Sequence, residues 1–290
     1  MSRSEPFSDV IIVGAGASGL MCAIHAARRG LDVLLLEKNA KPGMKILVSG
    51  GGRCNFTNLW SDPRENYLSD NPHFCIAAMS RYTPWDFIDM VEKHQIGYHE
   101  KTLGQQFCDE SSKQILKMLL DECDQTGVRI KLSSEVTDIS RVEHGFVVKT
   151  RDACYQAKKL VLASGGLSLP KIASDLAYQT ANKLELKLVP PRAGLVPLTW
   201  NSGDKTFFEP LSGISLEVSA SCNGACFREA MLFTHRGLSG PAILQISSFW
   251  REGNPVSIDL LPDLNVRQWL REKRDQSPQS KISTLLKTIL

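Results

Sequence analysis

The chain has 290 residues, with 34 Lys+Arg against 31 Asp+Glu and a formal charge of +3. Apolar residues at 42%, charged residues at 22% and ordinary numbers of Gly (21) and Pro (14) exclude a disordered, collagen-like or linker-rich chain. The length corresponds to one large or two modest domains that bury roughly 75% of their unfolded surface without a metal or disulfide staple, and the near-balanced charge neither requires nor forbids a nucleic-acid partner.

The eight cysteines (Cys22, Cys54, Cys75, Cys108, Cys123, Cys154, Cys222 and Cys226) contain no C-x-x-C pair. Cys222 and Cys226 lack the second Cys or His pair of a zinc site, so no metal is expected and the thiols read as reduced. The apolar stretch Val10–Ala27 is broken by three glycines and preceded by Glu5 and Asp9 rather than by basic residues, which argues against a secretory signal. No apolar run approaches the ~20 residues of a membrane span. The expected location is cytoplasmic.

Asp9–Val13 is a β-branched run suited to a buried parallel strand. Gly14-Ala15-Gly16-Ala17-Ser18-Gly19 follows, then Leu20, Ala23, Ile24 and Ala27 at helical spacing, with Arg28, Arg29 and Gly30 as a helix end. Leu31–Leu36 reads as a second strand closed by Glu37. Strand, G-x-G-x-x-G, helix, strand and acid form a dinucleotide-binding pattern. Gly14 permits the tight turn, Gly16 the approach of a pyrophosphate and Gly19 close helix–strand packing, while Glu37 accepts hydrogen bonds from a ribose. The pattern alone does not separate FAD from NAD.

Next come Lys41-Pro42-Gly43-Met44-Lys45 and Ser49-Gly50-Gly51-Gly52-Arg53-Cys54-Asn55. Three adjacent glycines bring backbone amides close to a ligand, with Arg53 suited to a phosphate and Asn55 to a ring edge; the alternative is a mobile surface loop. Asn71-Pro72 and Thr83-Pro84 each read as an N-cap followed by proline at the first helical position, with Trp85, Ile88 and Val91 as a buried face. Ser112–Thr126 is an amphipathic helix with Ile115, Leu116, Leu119, Leu120 and Cys123 on one side. Glu135–Ile139 and Gly145–Thr150 read as a hairpin, and Lys159–Gly166 as a buried return strand whose end meets the ligand.

Pro190-Pro191 marks a change of texture and the expected domain boundary, giving 1–191 and 192–290. Leu195–Thr199, Leu216–Ser221 and Ala225–Phe233 read as strands, with Asn223-Gly224 as a hairpin turn. Val266–Leu290 reads as a basic helical segment carrying Arg267, Arg271, Lys273, Arg274, Lys281 and Lys287; a solvated face is the simpler reading and RNA contact the other. His235 sits in a Thr-His-Arg-Gly turn, as a structural residue or a substrate-facing acid.

Three longer stretches, Ser49–Asn58, Ala163–Pro170 and Leu232–Pro241, resemble those of the YhiN/BaiN-like FAD-dependent oxidoreductases, also described as aminoacetone oxidase-like. The resemblance implies an α/β architecture: a Rossmann-like FAD-binding domain of the two-dinucleotide-binding-fold type with an inserted, mainly β domain. It selects FAD over NAD. The residues it places at the cofactor are Gly14, Ala15, Gly16, Ala17, Ser18, Gly19, Glu37, Lys38, Lys45, Ser49, Gly50, Gly51, Gly52, Arg53, Cys54, Asn55, Val136, Ala163, Ser164, Gly165 and Gly166. Members continue beyond the point corresponding to Leu290, so the inserted domain is expected to be C-terminally incomplete here. Members also carry one more residue where this chain has Lys171-Ile172-Ala173-Ser174-Asp175.

The reaction implied is hydride addition to an activated C=C bond, with NAD(P)H as transient donor. One branch acts on small enones and another reduces a uridine of ribosomal RNA to dihydrouridine; Glu100–Asp109 resembles the RNA branch. The substrate is thus a small molecule or ribosomal RNA, with no membrane partner expected. Cys54 and His235 are the candidate proton donors. The contrasting reading is a flavin- or nucleotide-binding protein without catalysis.

Overall fold

The computed structural model describes residues 7–289; Glu5 and Leu290 lie outside them. The chain divides into two units, Met1–Val189 and Pro190–Leu290.

The first unit begins with β1 (Ser8–Val13), α1 (Ala17–Ala27) and β2 (Val33–Leu36). A short helix α2 (Met44–Val48) leads into β3 (Asn55–Asn58), followed by α3 (Ile76–Met79), α4 (Pro84–Lys93), β4 (Tyr98–Glu100), β5 (Gln105–Cys108) and α5 (Ser112–Gln125). Then come β6 (Arg129–Lys131), β7 (Val136–Val142), β8 (Gly145–Thr150), β9 (Cys154–Leu162) and α6 (Leu176–Lys183). The main sheet has the order β6-β2-β1-β9-β8-β7. Its first four strands are parallel, and β8 and β7 add antiparallel edges. A three-stranded sheet, β3-β5-β4, stands apart.

Alternation along the strands divides the core. Val10, Ile12, Val33 and Leu35 pack with Leu20 and Ile24 of α1 and Ile115 and Leu119 of α5. Ile11, Val13, Leu34 and Leu36 face the other way, against Val136, Ile139, Val148 and Tyr155. Both faces of β1 and β2 are buried, as parallel strands flanked on two sides require.

Several local expectations are corrected. Asn71-Pro72 opens no helix: the Asn71 side chain accepts from the His73 N–H and closes a turn. Thr83-Pro84 does start α4, through a capping box with Asp86. Trp85 is not on its buried face, being 58% exposed, whereas Ile88, Met90 and Val91 are buried. The end of β9 is half-buried rather than buried.

The second unit holds β10 (Leu198–Thr199), α7 (Ser202–Phe208), β11 (Ser215–Cys222), β12 (Ala225–Thr234), β13 (Gly237–Ser239), α8 (Pro241–Ser247), β14 (Ser257–Asp259), α9 (Val266–Gln276) and α10 (Ile282–Leu286). Its sheet is antiparallel, ordered β10-β13-β12-β11-β14. Asn223 and Gly224 both take positive φ between β11 and β12, as a two-residue hairpin turn demands. The strand expected over Leu195–Thr199 shrinks to two residues, because the N–H groups of Leu195 and Val196 donate to Ser248 and Ser247 hydroxyls instead of a ladder. The helix expected from Val266 is cut between α9 and α10, where Pro278 lacks the N–H needed to continue it. No helix among the described residues is long and apolar enough to cross a membrane.

Candidate functional site

The carboxyl ends of β1, β2 and β9 are bonded to one another. The Gly14 N–H donates to Leu36 O at 2.7 Å and the Ala163 N–H to Val13 O at 2.8 Å. Ligands of open parallel sheets sit beyond such ends, and here a cavity of about 750 Å³ opens there, a volume within the usual range of cofactor sites.

The three glycines of the first turn do different work. Gly14 has φ +107°, and a Cβ on it would lie 2.4 Å from Ala163 O. A Cβ on Gly19 would lie 1.8 Å from Gly14 O, so only hydrogen allows α1 to pack this closely on the turn. A Cβ on Gly16 meets nothing within 4 Å. Gly16 lines the cavity with Ala17 and Ser18, at the N-terminus of α1 where free N–H groups favour anions.

Glu37 is buried and lines the cavity. Its Oε2 accepts from the Ala15 N–H at 2.8 Å, and its Oε1 accepts from the backbone and side-chain N–H groups of Asn39 at 2.9 and 2.6 Å. Of about four acceptor positions on a carboxylate, one remains. Ala15 and Gly19 are therefore supports behind the cavity rather than part of its lining.

Gly50, Gly51, Gly52 and Arg53 also do not line it. The glycines have φ of +56°, +65° and +88° and coil the chain tightly, which presents Ser49, Cys54 and Asn55 to the cavity. Gly50 is held against Phe107, whose ring would lie 2.7 Å from a Cβ there. The Cys54 thiol is 5% exposed; burial pushes its pKa up, against a hydrogen bond with Ser49 that lowers it. A thiol so placed stays protonated at neutral pH.

The opposite wall comprises Ala163, Ser164 and Gly165 at the end of β9, with Val136 beside Glu135 and Ser134. Lys38 and Lys45 line the cavity and hold its rim: Lys38 Nζ donates to Ala173 O at 2.9 Å, and Lys45 Nζ donates to Ser168 Oγ at 3.0 Å and toward Gly166 O at 3.5 Å. Gly166 is thus a rim anchor, not a lining residue. Ile172, Ala173, Ser174 and Asp175 complete the wall. Sequence reasoning passed over them as a site, although their departure from the family pattern was visible.

Two observations fit a dinucleotide here. The backbone at Gly16 is open to close approach. Ser164 Oγ is buried with no hydrogen-bond partner among the described residues, an orphan that a bound group would satisfy. His235 lies in the second unit, exposed in the turn between β12 and β13.

Comparison with known proteins agrees with this architecture. Residues 8–230 match the HI0933-like protein Rossmann domain, and residues 192–290 match the HI0933-like protein barrel and H2TH domain. The chain is 49% identical over 280 residues to the ribosomal RNA dihydrouridine synthase of Escherichia coli, covering 96% of this chain and 70% of that one. It is 47% identical to the enzyme of the same name from Haemophilus influenzae, over 98% of this chain and 72% of that one. It is 28% identical to a 3-dehydro-bile acid delta(4,6)-reductase of Clostridium scindens, over 89% and 65%. With the Rossmann match spanning most of its length, the chain belongs to the HI0933-like family, the YhiN/BaiN-like FAD-dependent oxidoreductases.

Proposed function

We propose that this chain reduces the activated C=C bond of a uridine in ribosomal RNA to give dihydrouridine, with NAD(P)H as the source of electrons. The observation that carries the reading is the identity of 49% over 96% of the chain to a ribosomal RNA dihydrouridine synthase, joined to a cavity whose lining suits FAD. Bound FAD supplies the hydride chemistry, and the protein supplies binding, orientation and electrostatics.

In this reading the N-terminus of α1 and the open backbone at Gly16 receive the pyrophosphate, Glu37 receives a ribose hydroxyl at its remaining acceptor position, and Ser164 Oγ finds its missing partner in the cofactor. Lys38 and Lys45 tie the segment 166–173 to the rim of the cavity beside the nucleotide. Cys54, a protonated thiol in the lining, holds the proton that balances hydride addition across the double bond. His235 is the other candidate donor.

The test starts from the purified chain. A visible flavin spectrum that bleaches when NADPH is added anaerobically, and returns with formation of dihydrouridine when ribosomal RNA lacking that modification is supplied, is the expected result. Bleaching followed by reoxidation with a conjugated enone but not with RNA would favour the second reading, supported by the 28% relative that acts on a bile acid. A flavin that does not bleach would favour binding without catalysis.

A further inference from the structure

The second unit carries a set of cations that its own stability does not explain. Helix α9 has Arg267 in its first turn and no acid there, although the Asn265 side chain caps the helix by accepting from the Gln268 N–H at 3.1 Å. Helix α10 has Lys281 as its N-cap residue, again with no acid in the first turn. A cation at a helix N-terminus opposes the helix dipole by about 0.3–1 kcal/mol. Arg267, Arg271 and Arg274 also recur at i, i+4 and i+7, a like-charge spacing that destabilises an isolated helix by about 0.2–0.5 kcal/mol per pair.

Among the described residues, only Arg274 of the row has an acidic partner. Arg274 bonds its neighbour Asp275 at 2.9 Å, while Glu272 is taken by Gln268 at 3.0 Å. Arg267, Arg271, Lys281 and Lys287 are exposed and form no ion pair or side-chain hydrogen bond among the described residues. Cations at two helix N-termini, Arg267 and Lys281, with no acidic partner among the described residues mark a surface shaped by a partner.

We infer that the exposed arginines of α9, Arg267, Arg271 and Arg274, together with the exposed Lys281 and Lys287 at the two ends of α10, form a docking surface for the phosphate backbone of RNA. Guanidinium forks suit phosphate oxygens, and a row of cations without sequence-reading geometry suits a polyanion held by charge. An anionic membrane fits less well. Insertion needs a free apolar helix face, whereas Val266, Trp269 and Leu270 of α9 are already half-buried. The choice of RNA among polyanions rests on the substrate proposed above.

The experiment uses the full chain, protein-free ribosomal RNA and a mixed-sequence single-stranded RNA, with affinity measured across a KCl series. The variant R267Q/R271Q/K281Q is expected to lower the steepness of log K against log[KCl] by about 2 on the single strand, three lost contacts at about 0.7 each. Its melting temperature is expected to equal or exceed that of the parent, since repulsion is removed. The charge-keeping variant R267K/R271K/K281R is expected to hold the parental slope. An unchanged slope in the glutamine variant overturns the proposal, as does equal loss in the charge-keeping variant. Loss of binding to phosphatidylserine vesicles with no change in RNA slope also overturns it. Dihydrouridine formation is scored in parallel. Dihydrouridine formed with an unchanged slope refutes the docking surface alone, and a reduced slope with no dihydrouridine from the parent refutes the substrate reading alone.

Discussion

The Glu37 carboxylate accepts the Ala15 N–H at 2.8 Å, so the acid that closes β2 is bonded to the glycine turn that follows β1. The same side chain faces the cavity. One residue thus shapes the turn and presents an acceptor to whatever binds there. Glu37→Ala is expected to leave the N–H groups of Ala15 and Asn39 without acceptors, at about 1–3 kcal/mol for a buried unsatisfied donor. Loss of a hydrogen bond to a charged acceptor is worth about 1.5–3 kcal/mol, or roughly 10- to 100-fold in affinity. Thermal unfolding and a flavin-fluorescence titration measure the two effects. Glu37→Gln, which keeps one carbonyl acceptor, is expected to fall between Ala and the parent in both.

The three glycines of the turn separate folding from binding. Gly19→Ala drives a methyl into a backbone carbonyl that cannot move aside, so the chain is expected to lose folded yield. Gly16→Ala has open space around its Cβ and an ordinary φ of −84°. It is expected to fold with an unchanged circular dichroism spectrum and to be purified with most of its FAD lost. A Gly16→Ala chain that retains full flavin would remove the phosphate role given to that turn.

How much of this was legible beforehand depends on the range of the cause. β1, β2, β11 and β12 follow from β-branched runs and a two-residue turn, all local signals. The spacing of Trp85, Ile88 and Val91 identifies one face of α4 but not how far along that face the core extends, and Trp85 falls beyond it. The triple glycine signalled an unusual backbone; that it turns the chain and leaves the lining to Ser49, Cys54 and Asn55 depends on Phe107 packing against Gly50. The wall at 172–175 was hidden because Lys38, some 135 residues earlier, holds it in place. Glu122 was unreadable for the same reason: a carboxylate in the last turn of the amphipathic helix α5 looks solvated until its cations arrive from the ends of two other helices.

Cys54 lines the cavity and is the proton donor proposed above. Cys54→Ala is expected to keep the flavin spectrum and its bleaching by NADPH while slowing dihydrouridine formation by about 10²-fold or more, the usual share of a positioned general acid. A larger loss in His235→Ala than in Cys54→Ala would move the proton to His235, the other candidate donor. Single-turnover reoxidation of the reduced flavin by RNA measures both, and a Cys54→Ala chain with parental rates would return the proton to solvent.

Glu122 links three helices of the first unit. Its carboxylate, buried on α5, receives Arg28 just past α1, and Lys93 at 3.1 Å and His94 at 2.8 Å at the end of α4. Burial alone would raise its pKa, but the hydrogen bonds from His94, Lys93 and Arg28 outweigh that and hold it at about 2, against 4.5 when free. A carboxyl depressed in the folded state contributes stability above its unfolded pKa and loses it as pH falls through the folded one. The contribution, about 3 kcal/mol at 1.36 kcal/mol per pKa unit, is expected to be complete above pH ~5 and to drain away between about 4.5 and 2. Glu122→Gln removes that acid-sensitive increment but leaves Arg28 and Lys93 facing a neutral amide in a buried site. It is therefore expected to melt lower than the parent at pH 7 and to converge with it as the pH approaches 2. Melting temperatures of the two chains across that range measure the effect; parallel curves would show that the cluster of α1, α4 and α5 is held by packing and not by this charge.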